Sequence, residues 1–122
     1  MVSLGDDGVI TMNRGDTAKF PLFINKGTSL QPSRYELGDK DQVFLALMEP
    51  NQPFEEALLK QKYTKADLNK YGDIVITFKH DDTKCILPGK YYYQIKALLY
   101  NEEDNDFDVN TIVQKTEFYI QE

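Results

Sequence analysis

The residues that follow Pro88-Gly89 constrain the fold most, because they alternate between two faces. From position 91 to position 99 the odd-numbered residues are tyrosine, isoleucine, alanine or leucine, whereas the even-numbered residues mix tyrosine, glutamine, lysine and leucine. A period of two residues is typical of a strand whose sheet packs on one side. Proline ends the preceding segment, and glycine suits the reversal. We therefore expect a corner and then a central strand.

The segment before that strand predicts a single helical turn. Asp82 and Thr83 have side chains that accept hydrogen bonds from nearby backbone N–H groups and so hold tight corners. His80, the lone histidine, is expected to be a surface or hydrogen-bonded residue rather than a metal ligand. Cys85, the lone cysteine, is expected to be a buried thiol rather than a nucleophile.

Length and charge narrow the class of protein. The chain has 122 residues, and we expect residues 1–122 to form a single domain. A net charge of −6 repels a phosphate backbone, so nucleic acid is not an expected partner. No apolar run approaches a membrane span, so a membrane is not expected either. One cysteine cannot form an internal disulfide.

Alternation and turn residues predict about seven strands. The other six are expected at residues 9–12, 17–25, 41–49, 57–63, 73–79 and 111–121. Residues 54–72 stay open between helix and strand; we favour a strand followed by a turn capped by Thr64 and Asp67. The predicted fold is all-β, an immunoglobulin-like antiparallel β-sandwich of about seven strands with one short helical turn. The inward faces predict a core of Phe20, Leu22, Leu45, Leu47, Ile76, Phe78, Tyr93, Ile95 and Phe118.

The order of several short motifs resembles a small β-sandwich found in tailed-phage particles, as in the N-terminal domain of upper baseplate proteins and related head and tail domains. The motifs are Asp82-Thr83, Ile86-Leu87, Pro88-Gly89, the tyrosine-rich strand and Thr111-Ile112. The resemblance implies a virion structural protein, made in the cytoplasm of the host bacterium. It also implies contacts with other virion proteins, in a homo-oligomer or a hetero-assembly, and no active site.

The chemical inventory is short, and we expect neither an enzyme nor a cofactor. No glycine-rich phosphate loop and no Ser–His–Asp set can be assembled. Asp104, Asp106 and Asp108 alternate as in a calcium loop, but Val109 and Lys115 stand where an EF-hand needs glycine and glutamate. A solvated acidic loop is favoured, and weak calcium binding stays open.

The predicted interface is one outward patch formed by Phe44, Met48, Tyr92 and Leu98. Residues 43–48 are apolar on both faces, although a sandwich strand needs only one apolar face. The patch is either an interface with another copy or another virion protein, or a surface covered by residues 54–72.

The alternative function is an adhesion or carbohydrate-binding module, for which Tyr35, Tyr63 and Tyr71 are the candidate aromatic platform. Arg14-Gly15-Asp16 matches a short integrin-adhesion motif, but a hairpin turn is favoured. Lysines in a set around residue 62 are expected to guard an edge strand rather than to bind nucleic acid. This set comprises Lys60, Lys62, Lys65 and Lys70.

Overall fold

The computed structural model describes residues 2–4, 8–22, 24–27, 32–35 and 37–122, and the side chains of residues 8–22 and 37–122. The strands are β1 (Val2–Leu4), β2 (Ile10–Asn13), β3 (Ala18–Leu22), β4 (Ile24–Gly27), β5 (Pro32–Tyr35), β6 (Gln42–Met48), β7 (Leu59–Tyr63), β8 (Ile74–Phe78), β9 (Gly89–Asn101) and β10 (Asp106–Gln121). Strands make up 55% of the chain, which confirms the mostly β prediction. Each predicted strand is present, although the one predicted at residues 17–25 is divided into β3 and β4, and β1 and β5 were not predicted.

Six strands form a mixed sheet in the order β1-β2-β10-β9-β6-β7. Five pairings follow from this order, and β2 runs parallel to β10, with Ile10 opposite Phe118. The expectation of a purely antiparallel fold is therefore wrong at this pair. The two strands come from opposite ends of the chain, and no local sequence signal predicts the direction in which such distant strands pair.

A second layer consists of the β3–β8 ribbon, which pairs antiparallel from Ala18–Phe78 to Leu22–Ile74. Its buried face packs on the large sheet: the ring centroids of Phe78 and Phe118 are 5.4 Å apart. β3 carries Pro21, which cannot donate to a ladder, and within the described part of the chain β3 pairs on one side only. A second ribbon joins β4, which begins within the predicted strand at residues 17–25, to β5, where the sequence predicted a loop.

The core prediction is largely confirmed. Of the nine predicted residues, all but Phe20 and Leu22 are buried, and these two are partly buried against the core. Met12 and Val43 are fully buried without having been predicted, as is Met48. Met48 lies on the side of β6 opposite Leu45 and Leu47, which are buried as well, so alternation alone did not mark it.

The uncertain stretch between β6 and β8 contains a strand, as favoured, flanked by two single 3-10 turns at Phe54–Glu56 and Lys65–Asp67. The second turn has the predicted cap: Thr64 N donates to Asp67 Oδ2 at 2.8 Å. Two 3-10 turns therefore accompany the one helical turn that the sequence predicted.

The predicted helical turn before the central strand is α1 (His80–Thr83). Lys79 N donates to Asp82 Oδ2 at 2.7 Å, so Asp82 caps the turn. Thr83 does not cap it: its hydroxyl is fully buried and accepts from Gly15 N at 3.0 Å. His80 Nδ1 lies 2.7 Å from the Gly15 carbonyl oxygen. Both backbone groups of Gly15 are thus held by α1, and the expectation of a hydrogen-bonded surface histidine is confirmed.

Candidate functional site

The predicted patch lies on the face of the large sheet that is turned away from the β3–β8 ribbon, here called the outer face. Register places its residues in rows across the strands. One row joins Lys62, Phe44 and Lys96 on β7, β6 and β9. The next row joins Gln42, Leu98 and Val109 on β6, β9 and β10. Leu98 and Phe44 therefore share one surface, as predicted.

One end of the outer face is covered by the chain itself. Met48 pairs with Tyr92 and has no exposed surface. Phe54, on the first 3-10 turn, lies between two lysines, with Lys60 Nζ 5.7 Å and Lys96 Nζ 4.8 Å from its ring centroid. This turn belongs to the stretch predicted as a possible cover. Of the four predicted patch residues, Met48 is therefore buried by the chain itself. The other three, Phe44, Tyr92 and Leu98, are half-buried.

The other end of the outer face continues onto a projecting arm. β6 pairs with β9 only as far as Leu98, but β9 and β10 stay paired to Asn101 and Asp106. Val109 is 65% exposed and Phe107 37% exposed, and both point to the outer face with Leu98. Sequence reasoning missed these two residues, because the surrounding acidic residues made the segment resemble a solvated loop. The signal that could have found them is the alternation of residues 106–111.

The tip of the arm is acidic and ordered by its own side chains. Asn101 Nδ2 donates to Asp104 Oδ2 at 3.2 Å and is 3.4 Å from Asp108 Oδ2. Tyr100 donates through its hydroxyl to Asn105 Oδ1 at 2.5 Å. Asp106 Oδ1 accepts from the N–H of the next residue. The carboxylates thus serve a tight β-turn, so the expected loop is a turn between two strands.

The residues expected to be inert, His80 and Cys85, lie apart from any cluster of metal ligands in the described side chains. Among residues 8–22 and 37–122, no three His, Cys, Asp or Glu side chains are placed to hold a metal ion. Cys85 is exposed, so the prediction of a buried thiol is wrong. It lies in the turn that follows α1, where Thr83 rather than the thiol faces inward.

Two other motifs have structural explanations. The Arg14-Gly15-Asp16 turn is tied down, because Arg14 Nη2 pairs with Glu122 Oε1 at 2.9 Å and α1 holds Gly15. β7 is an edge strand of the sheet in the described chain, and Lys60 and Lys62 are exposed on it. The sheet therefore has the unpaired edge strand that these lysines were expected to protect from pairing with another sheet.

A cleft of about 630 Å³ opens between β7 and β8. Three lysines line it together with Gln61, Thr77 and two aspartates; the lysines are Lys19, Lys62 and Lys79. At this edge the Tyr63 hydroxyl donates to Gln61 Oε1 and accepts from Thr77 N. Burial raises the pKa of Tyr63, against the lowering effect of that N–H. Of the three candidate platform tyrosines, Tyr63 is buried, Tyr71 is 68% exposed, and the Tyr35 side chain is outside the described residues.

A charged chain of contacts lies beside Tyr92 on the outer face. Glu117 accepts a hydrogen bond from the Tyr119 hydroxyl and pairs with Lys90 Nζ at 3.2 Å. The Tyr119 hydrogen bond, followed by that of Lys90, lowers the pKa of Glu117. The hydrogen bonds that Lys90 donates to Glu117, first, and to Tyr92 raise the pKa of Lys90. These groups neutralise each other, so this corner of the face has no net charge to offer a partner.

The chain was compared with known proteins in three ways. No family model matches it, and neither the curated proteins nor the solved structures provide a match. In the described residues, no helix is long and apolar enough to cross a membrane.

Proposed function

We propose that the chain is a non-enzymatic structural protein of a tailed-phage particle, in its baseplate, tail or head, that assembles through contacts with other virion proteins. The finer fold proposal that goes with it is an immunoglobulin-like sandwich, with the β3–β8 ribbon as one layer and the large sheet as the other. The corner supports this proposal. Tyr91 Oη donates to the Leu87 carbonyl oxygen, four residues upstream, at 2.5 Å, and tyrosine corners of such sandwiches make a hydrogen bond of this kind.

The observation that carries the functional proposal is the open part of the outer face. Phe44 and Leu98 lie on it half-buried, and Val109 continues it at 65% exposure. Apolar side chains grouped on one plane of a sheet are typical of a surface that binds another protein. A protein that works by assembly needs such a surface and no catalytic group.

The experiment is incorporation into particles. The genome that encodes the chain would be made to produce particles carrying either the natural protein or the double variant Phe44→Asp with Tyr92→Asp. Both aspartates would place a charge in an apolar contact, so the folded variant should be absent from purified particles when these are examined by mass spectrometry. Tyr71→Asp is the matched control, since Tyr71 is 68% exposed and lies between β7 and β8, outside the strands of the large sheet.

Three results bear on this proposal. Loss of the double variant from particles that still contain Tyr71→Asp supports it. Normal incorporation of the double variant excludes the outer face as the contact. Particles that lack the natural protein altogether would show that the chain is not a virion component. A urea unfolding curve for each variant separates failure to assemble from failure to fold.

An adhesion or carbohydrate-binding module is the second candidate, and the β7–β8 cleft favours it. The cleft combines ammonium, amide and hydroxyl groups with the carboxylates of Asp67 and Asp82, which suit sugar hydroxyl and acid groups. A glycan array probed with the purified chain tests it. Binding that is lost in Lys19→Ala would favour this function over assembly, and an array without binding would count against it.

A further inference from the structure

Charges are separated along the outer face, from the arm to the middle of the sheet. The arm tip carries three exposed carboxylates in a row, at Glu102, Glu103 and Asp104. Four residues along β9 from Tyr100, the row of Lys62 and Lys96 carries two ammonium groups. None of these five groups forms an ion pair within the described set of residues. One end of the face is therefore negative, and the middle is positive.

Apolar side chains separate the two charged ends. Leu98 and Val109 form the row between them, and Phe44 lies between the two lysines. On the arm, the Tyr100 and Phe107 rings are 5.4 Å apart in an edge-on contact. Lys40 also lies at this end, with its ammonium 4.2 Å from the Tyr100 ring centroid. Beyond the lysine row, the 3-10 turn that carries Phe54 stands on the sheet and ends the open surface.

This arrangement is self-complementary. If a second copy is laid face to face and turned by a two-fold rotation about the Tyr100–Phe107 row, which is four residues from both Lys96 and Asp104 along the chain, its acidic tip comes over the lysine row of the first copy. The reverse contact forms at the same time, as a two-fold interface requires. If the arms of the two copies pointed in the same direction, the carboxylates of one tip would lie against the carboxylates of the other and repel them.

We infer that the outer face is the contact between two copies of this chain, in which the acidic arm of each copy binds the lysine row of the other. The inference rests on the proposed function, because it names the first partner of the proposed assembly surface. The contact is limited to the arm and to the Phe44 and Leu98 rows of the sheet, and sheets that stack face to face lie about 10 Å apart. A surface of this extent belongs to the small, transient class of interfaces, so the expected Kd is on the order of 10–100 µM.

Sedimentation equilibrium of the full chain tests the inference, over about 10 µM to about 1 mM protein. The natural protein should pass from monomer to dimer and stop at the dimer. Raising the salt from about 50 mM to about 500 mM should weaken the association, because exposed charges are then screened. A monomer at every concentration, or a mass that keeps rising beyond the dimer, would overturn the two-fold contact.

Two reversed variants provide the sharper test. The first reverses the basic row, Lys62→Glu with Lys96→Glu, and the second reverses the tip, Glu102→Lys with Glu103→Lys. Each variant alone opposes like charges, so each should associate at least about tenfold more weakly than the natural protein. Their equimolar mixture should recover the natural affinity as a heterodimer, because both contacts are then between opposite charges.

The mixture also serves as the folding control, since a misfolded variant could not be rescued by its partner. The control is one double variant, Lys70→Glu with Glu56→Lys, which reverses two charges outside the lysine row and the tip. It should leave the association unchanged. Undiminished association of either reversed variant alone, or a mixture that stays monomeric, contradicts the inference.

The two proposals can fail separately. A chain that is incorporated into particles but stays monomeric in solution leaves the virion function standing and excludes the two-copy contact. A chain that dimerises as described but is missing from particles leaves the contact standing and excludes the virion function.

Discussion

Asp41 joins two distant segments through one buried carboxylate. Its Oδ2 accepts from Gly38 N at 2.7 Å and its Oδ1 accepts from Tyr100 N at 2.8 Å. The residue is 2% exposed, so both bonds are shielded from water. The turn before β6 is thereby fastened to β9 at the base of the arm. Gly38 lies only three residues before Asp41, within reach of a local turn, but the second partner of Asp41 lies 59 residues away and has no local signal.

We predict that Asp41→Ala lowers the free energy of unfolding by about 3 kcal/mol, because the N–H groups of Gly38 and Tyr100 both lose a charged acceptor. Urea unfolding followed by circular dichroism measures it. Asp39→Ala is the control: its side chain is 90% exposed in a surface pair with Lys65, so the change should stay within about 0.5 kcal/mol. Equal effects of the two substitutions would contradict the role of Asp41.

We predict that the stability of the fold depends on alkaline pH through the phenol of Tyr63. Burial raises the pKa of its phenol above the ordinary value of 10.0. The folded state therefore favours the neutral phenol, so this contribution to stability is complete below pH 10.0 and is lost as the pH rises through the higher folded pKa. The phenolate absorbance of the natural protein minus that of Tyr63→Phe should rise only above pH 10.0. A difference that rises below pH 10.0 would contradict the prediction.

At the scale of elements, α1 holds the β2–β3 turn in place through hydrogen bonds to both backbone groups of Gly15. We predict that Thr83→Val lowers the free energy of unfolding by about 1–3 kcal/mol, since valine keeps the shape but leaves the Gly15 N–H without its acceptor. Thr116→Val is the control, because that hydroxyl donates to Gln114 O at an exposed site. Differential scanning calorimetry on both variants measures the difference in stability. A Thr83→Val protein as stable as the control would disprove that the Thr83 hydroxyl stabilises the turn.

Local elements were predictable from the sequence where the signal was local. The Thr64–Asp67 cap, the stop at Pro88 and the two-residue period of β9 each depend on residues close together, and all three are present. The arm was not predicted, because its charged residues hide an alternation that only strand pairing explains. Part of the outer face was predicted through Phe44 and Leu98, whereas the cover over Met48 depends on how Phe54 folds back.

At the scale of the whole molecule, strands from the two ends of the chain pair side by side in the large sheet. β2 and β10 pair with each other, and Phe118 and Ile120 of β10 are buried in the common core. We predict that deletion of residues 118–122 abolishes the cooperative unfolding transition, since it removes two core side chains and the part of β10 that pairs with β2. Deletion of Glu122 alone removes only the exposed pair with Arg14 and should cost less than about 1 kcal/mol. A cooperative transition in the longer deletion would contradict the prediction.

The parallel pairing of β2 with β10 is also where sequence reasoning stopped. Alternation marks β2 and β10 as strands, but the direction in which they pair depends on the path of all the residues between them. Length, charge and the core faces of β6, β8 and β9 predict a mostly β chain correctly. They cannot predict the mixed sheet, because pairing between the two ends is decided by how the intervening layers pack.

The same pairing sets the order of events on the ribosome. Arg14 and Glu122 are 108 residues apart in sequence and meet in the fold. At about 5–20 residues per second, roughly 5–20 s of translation separate them. Once Ile10 and Met12 leave the exit tunnel, they can pair with β1 but not with β10, which is translated last. The nascent chain therefore offers an apolar edge to cellular chaperones until its last strand is translated.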